Sequence, residues 1–214
     1  MKKKIAIGAL TVVGTAAAGT FLWLKASYNL PFPVPAYRAV RVIDGDTFVT
    51  EEKQNIRLSS TQAPEKDRCG YEEATKELEK LVMGKPLYIK VVFRDKYSRL
   101  VSLVYSPDGF VNELMLSKGM AYIASTIGNE KISLASDLAR EKKLGIFSNK
   151  CTQMENQEKP KCNVKGNDRN GKIYYLPSCG VYHNVSVQLY LGDRWFCSEK
   201  EAIAAGFRKP QQCP

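Results

Sequence analysis

Histidine is almost absent from this chain, since His183 is the single one among 214 residues. One imidazole argues against hydrolysis by a Ser–His–Asp triad and against a metal site rich in histidine. Acid–base chemistry is therefore expected from carboxylates, from lysine or from a metal-bound water. Hydrophobic residues make up 44% of the chain and charged residues 25%, which is ordinary for a globular protein.

Acidic residues are fewer than basic ones, 22 against 32, and the net charge is +10. A basic chain attracts polyanions such as nucleic acid or anionic lipid, although the same excess can simply keep a protein soluble. Cysteine is also sparse, at six residues. An even number of cysteines predicts disulfides if the chain is exported, and the pairing is left open by their count.

The N-terminus carries a long uncharged run, Ile5 to Leu24, after three lysines. A helix of that length spans roughly 30 Å, the apolar thickness of a bilayer. Residues 1–25 are therefore predicted to be a transmembrane signal-anchor helix, with a cleaved signal peptide and secretion as the alternative. The lysines place the N-terminus inside and the remaining chain outside the cell membrane. Residues 26–36 contain three prolines and predict an extended linker.

Residues 37–150 combine short stretches of strand-forming residues with three segments of helical character. The helices are predicted at Glu72 to Met83, Val111 to Lys118 and Leu134 to Lys143. This pattern is typical of an α+β domain, a five-stranded OB-type β-barrel with about three helices.

Within the same region, short motifs follow one another in a fixed order: Val42-Ile43-Asp44-Gly45-Asp46-Thr47, Ile56-Arg57-Leu58, Ala63-Pro64-Glu65 and Asp95-Lys96-Tyr97-Ser98-Arg99. Together they resemble the signature of the staphylococcal nuclease family, and Gly145-Ile146-Phe147-Ser148 is similar to that family's ending. The resemblance implies an extracytoplasmic calcium-dependent endonuclease that hydrolyses phosphodiester bonds of DNA, RNA or both.

The resemblance also implies a role for each residue. Arg57 and Arg99 match arginines that stabilise the phosphoryl oxygens, and Glu65 matches the carboxylate that positions or deprotonates water. Calcium would be held by Asp46, Gln62 and the backbone carbonyl of Ala63. Supporting positions are Asp44 and Thr47 beside the metal, and Lys96 and Tyr97 on the nucleic acid. Taken singly, these residue types are also typical of hairpin turns, exposed strand charges and helix caps.

Gln62 departs from the family, which usually has an aspartate at that position. A glutamine carbonyl can bind calcium but brings no charge, so a weakened metal site is expected. A second hypothesis follows, in which the chain binds nucleic acid or another polyanion at the surface with little or no cleavage. A third is a structural protein whose basic charge assists association with the cell envelope.

Residues 151–161 are predicted to be a linker, and residues 162–214 a small cysteine-containing α+β module. A capping box of Ser198 and Glu201 predicts a helix there. Tyr174 to Cys179 and Glu201 to Arg208 resemble the metal-binding domain of the Ada DNA-repair protein, which binds zinc through four cysteines.

Cys179 and Cys213 match two of the Ada ligands, but the other two positions hold Tyr175 and Pro210, so zinc is not expected. A rebuilt site of Cys179, His183, Cys197 and Cys213 is the alternative. The Ada likeness implies the disulfide Cys179–Cys213, and a likeness to the tails of exported nucleases implies Cys162–Cys197. Cys69–Cys151 would then tie the end of the first domain to the site. The oligomeric state stays open.

Overall fold

The computed structural model describes residues 37–124 and 130–213. The predicted anchor (1–25) and proline-containing linker (26–36) lie outside these described residues. Within the described ranges, no helix combines the length and the apolar character that crossing a bilayer requires.

The first part of the chain alternates strands with helices. Its elements are β1 (Ala39–Asp44), β2 (Thr47–Thr50), β3 (Asn55–Leu58), β4 (Thr61–Gln62), α1 (Tyr71–Val82), β5 (Tyr88–Arg94), β6 (Leu100–Ser106), β7 (Gly109–Phe110), α2 (Val111–Ser117), β8 (Tyr122–Ile123) and α3 (Glu130–Glu141). The main sheet has the order β1-β2-β3-β6-β5, and β7 pairs with β6. Strands β3 and β6 are parallel, whereas the other pairs of this sheet are antiparallel.

The predicted closure into a five-stranded barrel is wrong, because the six-stranded sheet stays open: its order runs from β1 to β5 without a ladder between these two strands, and β7 pairs only with β6. Its two outer strands approach each other at Tyr37 and Leu87, whose backbones exchange hydrogen bonds of 2.8 and 2.9 Å. Beyond this contact Ala39 pairs with Met83, at the end of α1. The end of α1 therefore takes the place beside β1 that β5 would need to complete the ladder.

The predicted helices are all found. Ala74, Leu78, Leu81 and Val82 form the buried face of α1, at the helical spacing seen in the sequence. Helix α3 begins earlier than the predicted Leu134, at Glu130. The reason is that its buried stripe is Ile132, Ala135 and Ala139, whereas Leu134 is 60% exposed.

The second part of the chain consists of short elements. They are β9 (Thr152–Gln153), β10 (Val164–Asn167), α4 (Arg169–Lys172), β11 (Ile173–Tyr175), β12 (Val187–Gln188), β13 (Arg194–Phe196) and α5 (Glu199–Ala204), with 3-10 turns at Gly145–Phe147, Tyr182–Asn184 and Leu189–Leu191. Strands β11, β10 and β13 form one antiparallel sheet. The predicted N-cap of α5 is confirmed, since Ser198 Oγ accepts a hydrogen bond of 3.2 Å from the Glu201 N–H.

This C-terminal module (residues 162–214) packs against the nuclease-like domain (residues 37–150). Residues 151–161, predicted as a linker, supply β9, which pairs with β12 of the module. The Trp195 indole N–H donates to the Gln153 side-chain oxygen at 2.6 Å. The disulfides join Cys69 to Cys151, Cys162 to Cys197, and Cys179 to Cys213, which are the pairs expected from the sequence. All six cysteine sulfurs are thus in disulfides.

Candidate active site

The turn between β1 and β2 places two carboxylates on the nuclease-like domain. Asp44 Oδ1 accepts a hydrogen bond of 3.0 Å from the Asp46 N–H, which shapes the turn. Gly45 lies between them, and a Cβ added there would come within 2.6 Å of the Cβ atoms of both Ala63 and Ala74. Glycine is therefore required by close approach, and the turn is seated directly on the start of the β4–α1 connection and on α1.

Asp46 is the buried centre of the site, with 2% of its surface exposed. Its Oδ1 accepts hydrogen bonds from the Thr47 hydroxyl at 2.8 Å and from the Arg57 guanidinium, and its Oδ2 accepts from the Ala63 N–H at 2.9 Å. Burial raises the pKa of Asp46 to about 6, and Arg57 opposes that shift while Asp44 adds to it. Below about pH 6 a proton therefore competes with any cation for this carboxylate.

Arg57 connects Asp46 to the next two residues of the site. Its Nη2 donates to Gln62 Oε1 at 2.6 Å, while its Nη1 holds Asp46. Gln62 Nε2 in turn donates to Glu65 Oε1 at 3.0 Å. Asp46, Arg57, Gln62 and Glu65 thus form one continuous chain of hydrogen bonds, with the buried carboxylate at one end and the exposed Glu65 at the other.

Arg99 belongs to a second group, in the loop between β5 and β6. Asp95 Oδ2 accepts from Arg99 Nε at 2.7 Å, and the guanidinium lies 5.2 Å from the centre of the Tyr97 ring. Lys96 Nζ lies 5.0 Å from the same ring. In the parallel pair of β3 and β6, Arg57 is the register partner of Val101. Arg99 lies two positions before Val101. Because residues two positions apart along a strand lie on the same face, both arginines are placed towards one face of the sheet. Within the described residues, no hydrogen bond links the Arg99 group to Asp46.

Tyr122 is a neighbour of the site that the sequence did not reveal. Strand β8 pairs with β4, and this register sets Tyr122 opposite Gln62. Burial raises the pKa of the Tyr122 hydroxyl, Arg68 opposes the shift, and Glu65 and Asp46 are near enough to add to it. The residue was missed because a pairing between two-residue strands so far apart in the chain leaves no local pattern.

The oxygen atoms at the site suit a hard cation by type. Asp46 offers a carboxylate, whereas Gln62 and Ala63 offer neutral carbonyl oxygens, and calcium accepts all of these ligands. Within ranges 37–124 and 130–213, no three His, Cys, Asp or Glu side chains are grouped as a metal cage. The donor set therefore fits calcium in kind, and its low charge predicts weak binding.

The chain is similar to known proteins over part of its length. The family model described as "Staphylococcal nuclease homologue" matches residues 55–149. An "Uncharacterized endonuclease" of Escherichia coli O157:H7 is 34% identical over 116 residues, which are 52% of this chain and 76% of that protein. The "Staphylococcal-like nuclease CAN1" of Arabidopsis thaliana is 37% identical over 114 residues, 52% of this chain and 33% of that protein. The β1–β2 turn with Asp46 and the C-terminal module both lie outside the range that the family model matches.

Proposed function

We propose that this chain, which belongs to the staphylococcal nuclease family, is an extracytoplasmic calcium-dependent endonuclease acting on DNA, RNA or both. Hydrolysis of nucleic acid as such is supported by the relatives named as endonucleases. The observation that carries the proposal is the hydrogen-bonded chain from Asp46 through Arg57 and Gln62 to Glu65. This chain of hydrogen bonds connects a buried carboxylate, a guanidinium and an exposed carboxylate.

Each residue has a task that its surroundings permit. Arg57 and Arg99 present guanidinium groups to the phosphoryl oxygens, where negative charge grows in the transition state. Glu65 is exposed and accepts a hydrogen bond from Gln62, so it can orient an attacking water and take its proton. Asp46, Gln62 and the Ala63 carbonyl would hold calcium, which when bound supplies positive charge next to the phosphate. A substrate phosphate then competes with Asp46 and Gln62 for the two Nη donors of the Arg57 guanidinium.

The location is part of the proposal. Three disulfides that use every cysteine are typical of proteins that work in an oxidising compartment. Anchoring to the cell membrane by residues 1–25 stays a prediction, as does secretion after cleavage of that segment. The likeness of residues 162–214 to the Ada metal-binding domain also stays a prediction.

We expect the purified full chain to cut single-stranded or denatured DNA when calcium is present, and to stop when a chelator removes it. The assay belongs at about pH 8, above the pKa of Asp46, so that protons do not compete for the carboxylate. Product length on a gel, with and without the chelator, is the measurement. Cleavage that persists unchanged in the chelator contradicts the calcium requirement. Absence of cleavage at every calcium concentration contradicts the proposal that the chain is a nuclease.

Substitution of Gln62 by aspartate is expected to lower the calcium concentration that gives half-maximal activity. The added carboxylate supplies charge beside Asp46, and calcium sites tighten as their charged ligands increase. Asn55→Asp is the matched control, because it adds the same charge at an exposed position on β3. Calcium titrations of the two variants and the parent decide the matter. Equal half-saturating concentrations in all three would mean that Gln62 does not face the metal.

A second candidate is binding of nucleic acid without cleavage. Two observations favour it: Gln62 brings no charge, and Arg57 occupies oxygens of both Asp46 and Gln62. Under this alternative the chain retains DNA in a calcium buffer and leaves its length unchanged, so the same gel assay separates the two functions.

A further inference from the structure

A basic cleft lies at the junction between the nuclease-like domain and the C-terminal module. Its volume is about 470 Å³, and its lining includes Arg68, Arg140, Arg169, Tyr122 and Tyr190. Three of the lining side chains are arginines, and none of the lining side chains is acidic. Arg68 and Arg140 come from the domain and Arg169 from the module, so the cleft exists only because the two pack together.

The three guanidinium groups are held in different ways. Arg140 is exposed, lies over the Phe147 ring at 4.3 Å from its centre, and interacts with the Tyr190 hydroxyl. The Arg68 guanidinium lies against Gly192, whose φ is +94°. A Cβ added to Gly192 would come within 3.2 Å of the guanidinium carbon of Arg68, so a side chain at this position would crowd the arginine. Arg169 is the exposed first residue of α4. Within the described part of the chain, none of the three has a carboxylate at ion-pair distance.

Nearby carboxylates reduce the positive potential but do not face the cleft. Asp193 is buried, and its two oxygens accept hydrogen bonds of 2.9 and 3.0 Å from the N–H groups of Asp168 and Gln188. Asp168 Oδ2 lies beside Gly192, on the module side of Arg68. Neither aspartate is among the lining residues, so the open surface presents guanidinium groups and aromatic rings.

The cleft is continuous with the candidate active site through Tyr122. The Tyr122 and Tyr190 rings lie 5.6 Å apart, and on its other side Tyr122 is the register partner of Gln62. Burial raises the pKa of the Tyr190 hydroxyl, and both Arg140 and Arg169 oppose that shift, which indicates that the two cations lie near this ring. A strand of nucleic acid that passes Gln62 would therefore meet the arginines next.

We propose that this cleft binds backbone phosphates of the substrate next to the scissile bond, so that the C-terminal module completes the nucleic-acid site. Guanidinium forks match phosphate oxygens, and adjacent tyrosine rings suit the bases of a single strand. The inference rests on the proposed function for the identity of its ligand. The module then has a task in substrate binding, and Arg169 is the residue by which it acts.

The test compares Arg169→Gln with Lys200→Gln in the full chain. Each variant removes one positive charge from the module, but Lys200 is exposed on α5, outside the cleft. The probe is an oligothymidylate of about 12 nucleotides, within the range that such folds cover, titrated in chelator at several salt concentrations. Arg169→Gln is expected to weaken binding about tenfold. It should also reduce the slope of log K against log salt by about 0.7, because one phosphate contact is lost.

Arg68→Gln should act like Arg169→Gln, whereas Lys200→Gln should match the parent, and melting temperatures check that each variant is folded. If all three variants have the same affinity and the same slope of log K against log salt, the proposal that the cleft binds phosphates is overturned, even if the protein cuts DNA. Loss of affinity confined to the two arginine variants supports it, even if no cleavage is found at any calcium concentration. The binding assay and the cleavage assay can therefore fail separately.

Discussion

Replacing Arg57 or Arg99 by alanine is expected to lower the rate of nucleic-acid cleavage by about 100- to 1,000-fold. Each guanidinium is proposed to stabilise charge that appears on the phosphoryl oxygens in the transition state, so its loss acts on kcat. The measurement is cleavage at saturating substrate and calcium. Arg41→Ala is the matched control, because Arg41 is an exposed arginine on β1 outside the hydrogen-bonded chain, and it should cut at the parental rate.

The two arginines differ in what else their removal does. Arg57→Ala deprives the buried Asp46 of its cationic partner, so the fold is expected to lose stability as well. Arg57→Lys keeps a charge but cannot bridge Asp46 and Gln62 with two nitrogens, and should still cut slowly. Arg99 is more exposed and is paired with Asp95, so Arg99→Ala should change activity with little change in melting temperature. Parental rates in both alanine variants would show that the assigned site is wrong.

Removal of the Cys69–Cys151 disulfide, by serine at both positions, is expected to lower the free energy of unfolding by about 4 kcal/mol. The bond joins residues that are 82 apart in the sequence, and a long loop gains much entropy in the unfolded chain when it is released. The total free energy of unfolding of a native protein is only about 5–15 kcal/mol, so this loss is a large fraction of it. Denaturant unfolding of the full chain measures it.

The position of the bond predicts where the structure weakens. Cys151 is buried in a small cluster with Ala139, Ile146, Phe147 and Tyr190, at the contact between domain and module. The comparison is the double serine variant of Cys162 and Cys197, a bond that closes 35 residues inside the module. That variant should leave the nuclease-like domain intact, whereas loss of Cys69–Cys151 should also loosen the junction cleft. A change below about 1 kcal/mol for Cys69–Cys151 contradicts this account.

Local patterns in the sequence were sufficient for the longer helices and for the start of α5. Segments of helical character predicted α1, α2 and α3, and the Ser198–Glu201 pair predicted the start of α5. The disulfide pairs followed from position and from resemblance, and the structure joins the same cysteines. The helices and the cap depend on neighbours in the chain, which a single sequence displays directly, whereas the disulfide pairs depended on the resemblance to known families.

Only the tertiary structure decided how the pieces meet. The open edge between β1 and β5, the pairing of Tyr122 with Gln62 and the bridge of Arg57 between Asp46 and Gln62 all depend on segments brought together by folding. The cleft gathers Arg68, Arg140 and Arg169, which no periodicity connects. Local propensity does not specify such contacts, because they follow from packing between distant strands and from the docking of one module on another.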